Sequence, residues 1–363
     1  MKKTLLLLVL PLMLAVSSCK DDFEVAAPYQ QITVAYAIFN KADKSHYVRI
    51  QKAFLDNNKS SIDMAKEPDS SFYKDLTVVM KEFNNETGNL VKTIPMTRVD
   101  LNIEGYPKDE AGSQGFFTKP SYAYKLMFPN VTDSLNPFLK YRLVIKNNAT
   151  GRVDSSDFFA IVNSNRDNNP SSFYISTFTN LNYALNFAKT EFQAKYTLNG
   201  KIPRNAKMIE GIIRFHMVEK DLNTGTKKNL SADLTFGTFV STGTSEQFKL
   251  EIPNSSFYGF LYDAFGAAPV GVQRYIDSCD FFIYAGSHEL YNYYNLALIQ
   301  NSSLLGDQIK PIYSNMRGEN TYGVLASRAL NTYLKVPIDE VTIDSIKLNK
   351  ITKPLNIIGR SDE

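Results

Sequence analysis

Side chains able to do chemistry are few in this chain and widely spaced. His46, His216 and His288 are its three histidines, and a shared imidazole site would need a tertiary meeting that their spacing does not encode. His216 and Glu219 form the nearest H-x-x-E pair, but three positions apart in a strand they face opposite ways. Cys279 lies in the apolar run Asp277-Ser278-Cys279-Asp280-Phe281-Phe282-Ile283-Tyr284, which holds no Lys, Arg or His to activate a thiol. It reads as a buried structural cysteine. Asn163, Asn165 and Asp167 alternate like the oxygen ligands of a calcium loop, yet the Gly and the downstream Glu are missing, so a linker is the better reading. No phosphate-binding loop, G-x-S-x-G elbow or H-E-x-x-H run occurs. Two of the 37 acidic residues could act as a hydrolytic pair, but nothing localises them. No catalytic residue, metal ligand or cofactor is therefore assigned. Aromatic residues carry more information. The chain has 21 Tyr and 24 Phe, clustered at Phe257, Tyr258, Phe260, Tyr262 and Phe265 and again at Tyr291, Tyr293 and Tyr294. The second cluster is the candidate binding surface. The competing reading is a Phe interior with Tyr at its edge, and the absence of Trp weighs against a dedicated sugar platform.

The N-terminus speaks to location. Lys2 and Lys3 precede an apolar run from Thr4 to Val16 that closes on Ser17 and Ser18, the layout of a secretory leader. The run contains Pro11 and gives way to charge at Lys20, far short of the about 20 apolar residues that a spanning helix needs. Val16-Ser17-Ser18-Cys19 resembles a bacterial lipobox, which implies cleavage after residue 18 and lipidation of Cys19. Two or three acyl chains would hold the mature protein stably on a membrane. Lys20, Asp21 and Asp22 resemble the short export signal that sends lipoproteins of Bacteroidetes-type bacteria to the outer face of the outer membrane. Cell-surface exposure is the expected location, with the periplasmic face as the alternative. Lipidation of Cys19 leaves Cys279 without a partner for an intrachain disulfide.

Residues 19–30 are polar and aperiodic and suit a lipidated tether. Strand-like runs follow at Ile32 to Phe39, Tyr47 to Leu55, Leu76 to Phe83, Leu90 to Ile94, Tyr122 to Phe128, Tyr141 to Lys146 and Arg152 to Val162, separated by Asn-, Asp- and Gly-rich turns. Short strands at this spacing predict a β-sandwich over residues 31–165. A polar stretch ending in Pro170 marks a boundary. Beyond it, Phe192 to Leu198, Met208 to Val218, Leu230 to Phe239 and Phe248 to Ile252 read as strands of a second, β-rich domain over residues 171–345. In the longest of them Ile209, Gly211, Ile213, Phe215 and Met217 share one face. Helices are predicted near residues 255–265, capped by Asn254 and Ser255, and 288–300, capped by Ser287, with Leu290, Tyr294, Ala297 and Leu298 on one side. Residues 346–363 read as a polar tail.

The lipoprotein start, the N-terminal strand pattern and the C-terminal half together resemble a group of uncharacterised Bacteroidetes surface lipoproteins carrying a domain of unknown function. The resemblance rests on Tyr47-Val48-Arg49-Ile50-Gln51-Lys52-Ala53-Phe54, Pro68-Asp69-Ser70 and Leu76-Thr77-Val78-Val79. In the second half it rests on Tyr291-Asn292-Tyr293-Tyr294-Asn295-Leu296 and on Ile312-Tyr313-Ser314-Asn315-Met316-Arg317-Gly318 leading into Tyr322-Gly323-Val324-Leu325-Ala326-Ser327. Where similar proteins often have a Gly-Gly pair, this chain has Gly318-Glu319-Asn320. What the resemblance implies is an immunoglobulin- or prealbumin-like N-terminal sandwich and a surface location, with no catalytic residue to carry over.

The formal charge of +3 includes Lys2 and Lys3 of the leader, so the mature chain is near neutral and lacks the electrostatic footprint of a nucleic-acid partner. The expected function is a mainly β, membrane-anchored protein that binds a small ligand or an outer-membrane protein partner, such as a transporter. The alternatives are a carboxylate-dependent hydrolase of surface glycan or peptide, with an acidic cleft in the second domain, and a structural or adhesive envelope component.

Overall fold

The structure, a computed structural model, describes residues 31–53, 60–110, 117–128, 130, 133–166, 169, 171–178, 183–188, 195–243, 247–301 and 313–360. The leader, the tether, Cys19, Lys20, Asp21, Asp22 and Asp167 lie outside the described residues. The fold is mainly β. Strands β1 (Ile32–Phe39), β2 (Tyr47–Ala53), β3 (Leu76–Asn84), β4 (Leu90–Asp100), β5 (Tyr122–Leu126), β6 (Leu139–Asn147), β7 (Val153–Ser156) and β8 (Phe159–Ala160) build the first body. In the longer strands alternate residues point to opposite faces, which turns one row inward. Ala35, Ala37 and Phe39 of β1 meet Val78 and Met80 of β3, Ile94 and Met96 of β4, and Tyr141, Leu143 and Ile145 of β6 in one buried core. The hairpins reuse one local device. In Asn84 to Gly88 and Asn147 to Gly151, the Asn side chain accepts from backbone N–H groups two and three residues on, and the closing Gly has a positive φ.

The second body contains β9 (Lys195–Lys201), β10 (Met208–Asp221), β11 (Lys227–Val240), β12 (Gln247–Pro253) and β13 (Val272–Gly286), with helices at Asn254–Phe265 and Glu340–Leu348. The inward row of β10 is Ile209, Gly211, Ile213, Phe215 and Met217, all buried. Phe257 of the first helix is fully buried and stacks on Phe187 with ring centroids 4.1 Å apart. This accounts for much of the first aromatic cluster: Phe257 is core, and Tyr258, Phe260 and Phe265 pack against it. Cys279 is buried in the same core with its Sγ 3.6 Å from the Val336 carbonyl. Burial pushes its thiol well up, and Asp280 adds to the shift.

Two late elements depart from the sequence reading. β15 (Thr321–Pro337) runs parallel to β1 from Thr321 to Ser327, then antiparallel to β13 from Arg328 to Pro337. One sheet therefore crosses both bodies, in the order β11-β10-β13-β15-β1-β2-β5-β4-β3-β6-β7-β14, where β14 is Met316–Arg317. Met316 and Leu325 belong to the first core although they come from the far end of the chain. At the handover, the buried Ser327 hydroxyl accepts from the Val162 N–H at 2.5 Å, and its own N–H donates to the Ser287 hydroxyl at 3.2 Å. The β1 pairing is close: a Cβ on Gly323, at φ +137°, would stand 1.8 Å from the Ala35 carbonyl oxygen. The expected polar tail is also corrected. Through residue 360 it packs on the second core, with Thr352, Leu355 and Ile357 buried and β16 (Ile357–Gly359) paired to β13. A helix at 340–348 turns Ile343 and Ile346 inward, and spacing of three hides such a row in an otherwise polar sequence.

The boundary stretch is equally well tied. Asn163 is buried, and its side chain donates to the Ser171 carbonyl at 2.8 Å.

Candidate functional site

The outward row of β1 is Val34, Tyr36 and Ile38, so this strand is apolar on both faces. A sheet face turned to water is ordinarily polar, yet Tyr36 is 45% exposed and Ile38 52%. Above this face lies the helix His288–Asn301, and none of its described side chains is fully buried. A groove of about 360 Å³ runs between helix and sheet, with Tyr36, Ile38, Arg49 and Val324 on the floor and Leu290 and Tyr293 on the helix side. Register sets the floor, since Tyr36 stands beside Arg49 on β2 and Val324 on β15. Partial burial, with the neighbouring Tyr293 hydroxyl, pushes the Tyr36 phenol above its ordinary value.

At one end of the groove the polar groups are already committed. The Tyr47 hydroxyl and the Lys125 ammonium each donate to Glu104 Oε2 at 2.6 Å, and Tyr106 packs edge-on against Tyr47. The hydrogen bond from Lys125 holds the Glu104 carboxyl below its usual range. Arg49 differs. Its guanidinium makes one hydrogen bond among the described residues, a long one of 3.4 Å from Nη1 to the Ser121 hydroxyl, and burial depresses its pKa.

A second cavity, of about 430 Å³, opens at the end of the first body between Lys41, Glu82, Lys92, Asp133 and Asn165. Glu82 and Lys92 are register partners on β3 and β4, but the Lys92 ammonium donates to Asp133 Oδ2 at 2.7 Å. Burial raises the Glu82 carboxyl, while the Lys92 bond holds Asp133 low. The two carboxyls of this cavity are thus shifted in opposite directions, an arrangement that general acid–base chemistry uses.

The predicted aromatics separate. Tyr293 lines the groove, Tyr291 lies under the Lys207 ammonium, 5.9 Å from its ring centroid, and Tyr294 is exposed outside the groove lining. Of the four residues read on one side of this helix, Leu290 lines the groove while Tyr294 and Leu298 are exposed. Sequence reasoning missed Tyr36, Ile38 and Arg49. The available signal was β1 itself, whose two rows are both apolar. The histidines stand apart: His46 is buried beside Phe39 and Phe128, His216 bonds Asp280 at 2.9 Å, and His288 meets Asn292 at 3.0 Å. No protein-family model matches the chain, and no curated protein matches it.

Proposed function

We propose that this protein is a lipid-anchored surface lipoprotein of the outer membrane, held through Cys19, that binds a small apolar ligand in the groove under the helix His288–Asn301. The observation that carries the reading is the solvent-exposed apolar row of β1, Tyr36 and Ile38, facing Tyr293 across a cavity of about 360 Å³. That volume falls in the range of small-molecule sites. The leader and the Val16-Ser17-Ser18-Cys19 motif support the anchor, and the resemblance to Bacteroidetes surface lipoproteins supports the location. An immunoglobulin- or prealbumin-like description of the first body is supported by its antiparallel order from β2 to β7 around a single core.

The test is titration with the neutral fluorophore N-phenyl-1-naphthylamine. The full chain carries Cys19→Ser, so that no acyl chain competes for the dye. Saturable binding that Ile38→Lys weakens at least fivefold is expected. A titration that never saturates, or one that Ile38→Lys leaves unchanged, refutes the groove as the site. A second reading, carboxylate-dependent hydrolysis, has Glu82 and Asp133 in its favour. It places the acidic cavity in the first body rather than the second, and it predicts that Glu82→Gln abolishes turnover of a glycan or peptide substrate.

A further inference from the structure

We propose that the ligand of this groove carries an anionic group, a carboxylate, sulfonate or phosphate on an apolar or aromatic body, and that Arg49 is the residue that seats it. The inference rests on the groove reading and adds the charge of what fills it.

Arg49 is the charged side chain of the groove floor, and it differs from the arginines that are held by a carboxylate or a close ring. Arg152, Arg214, Arg274 and Arg317 each bond a carboxylate, on Asp154, Asp233, Glu219 and Asp157 respectively. Arg98 and Arg142 instead stack on Tyr122 and Phe158, at 3.7 and 3.9 Å from the ring centroids. Among the described residues Arg49 bonds no carboxylate: its guanidinium lies over the Phe72 ring at a distant 5.8 Å, and its one hydrogen bond goes to the Ser121 hydroxyl at 3.4 Å. A partly desolvated guanidinium without a counter-ion is costly to hold, and its planar fork matches two acceptor oxygens at once. A second cation adds to the field: the Lys108 ammonium is close enough to Arg49 that the two charges repel. The Glu104 carboxylate, which accepts from the groove-lining Tyr47, is already engaged by Lys125 as well. Beside the fork the floor is apolar, with Tyr36 as the register neighbour of Arg49 and Ala123 and Val324 adjoining. A ligand with a flat apolar body and one acidic end satisfies both halves of this site.

Two dyes of similar aromatic size separate charge from shape: neutral N-phenyl-1-naphthylamine and the sulfonate 8-anilinonaphthalene-1-sulfonate. Both are titrated into the full chain carrying Cys19→Ser, and into the same chain with Arg49→Gln or Arg49→Lys added. The expected result is that Arg49→Gln weakens sulfonate binding about tenfold or more, the loss typical of a charge-assisted hydrogen bond, and changes neutral-dye binding less than twofold. Arg49→Lys, which keeps the charge but not the fork, should fall between. Equal loss for both dyes would mean that Arg49 only shapes the groove, and no loss for either would mean that it faces no ligand; each overturns the inference while the groove stands. Absence of saturable binding of both dyes to the parent chain removes the groove reading, and this inference with it.

Discussion

Removing the Tyr293 ring should weaken binding in the groove while hardly disturbing the fold. Complete burial of a large apolar side chain contributes about 1.5–3 kcal/mol. Tyr293 is 47% exposed in the free protein, so roughly half of that, about 0.7–1.5 kcal/mol, is left to be gained when a ligand covers it. Tyr293→Ala should accordingly raise the Kd of N-phenyl-1-naphthylamine about three- to twelvefold. Its melting temperature should fall by no more than about 4 °C, because the half of the side chain already covered in the free protein contributes a similar ~0.7–1.5 kcal/mol. Tyr262 is the matched control, a tyrosine on another helix, 38% exposed and away from the groove. The assay is dye fluorescence at equilibrium beside a thermal melt by circular dichroism. A Kd within twofold of the parent chain would refute the reasoning. So would equal weakening by Tyr262→Ala, which would show that the dye reports surface stickiness rather than a site.

Other predictions concern the frame of the site. Gly323→Ala places a Cβ against the Ala35 carbonyl at a backbone angle that L-residues avoid, and should cost about 3 kcal/mol or more; urea unfolding within 1 kcal/mol of the parent chain would contradict the register of β1 on β15. Glu82→Gln should stabilise the protein at neutral pH. Burial raises the folded-state pKa of Glu82 above the ordinary 4.5, so the parent chain loses stability as pH climbs from that value through the folded pKa. The gain from Gln should thus be full above the folded pKa and vanish below about pH 4.5, and parallel melting curves at pH 4 and pH 8 would count against it. Cys279, buried with its thiol pushed up, should react with an aromatic disulfide reagent only as fast as the protein unfolds; stoichiometric labelling of the native chain within minutes would show the core to be open there.

Much of the β framework was legible because alternation and turn chemistry agree. β1 begins and ends where its apolar run does, bounded by Asn40 and the following turn, and the inward row of β10 follows directly from its period of two. β15 hid itself. Its first half is packed on both faces through small residues such as Gly323, Ala326 and Ser327, and its second half carries Asn331, Thr332 and Lys335, so no single period runs its length. The Asn254–Phe265 helix reads from its aromatic spacing, whereas the one at Glu340–Leu348 buries only Thr342, Ile343 and Ile346 and passes for tail. For the site, Tyr293 was visible as part of a tyrosine cluster, but the helix sends Tyr291 and Tyr294 elsewhere. Arg49 was invisible as a site residue. A lone cation in a strand acquires meaning only when tertiary packing removes its counter-ions.

The parallel seam of β1 with β15 has a consequence for the making of the protein. On the edge away from β2, Thr33 finds its neighbour at Thr321, so β1 must wait for nearly the whole chain before that edge is covered. Until then it offers unpaired amide and carbonyl groups and an apolar row to any passing strand. The nascent chain would need an escort or a slow collapse through that interval, and a message truncated before residue 321 would leave a first body with one margin unsewn.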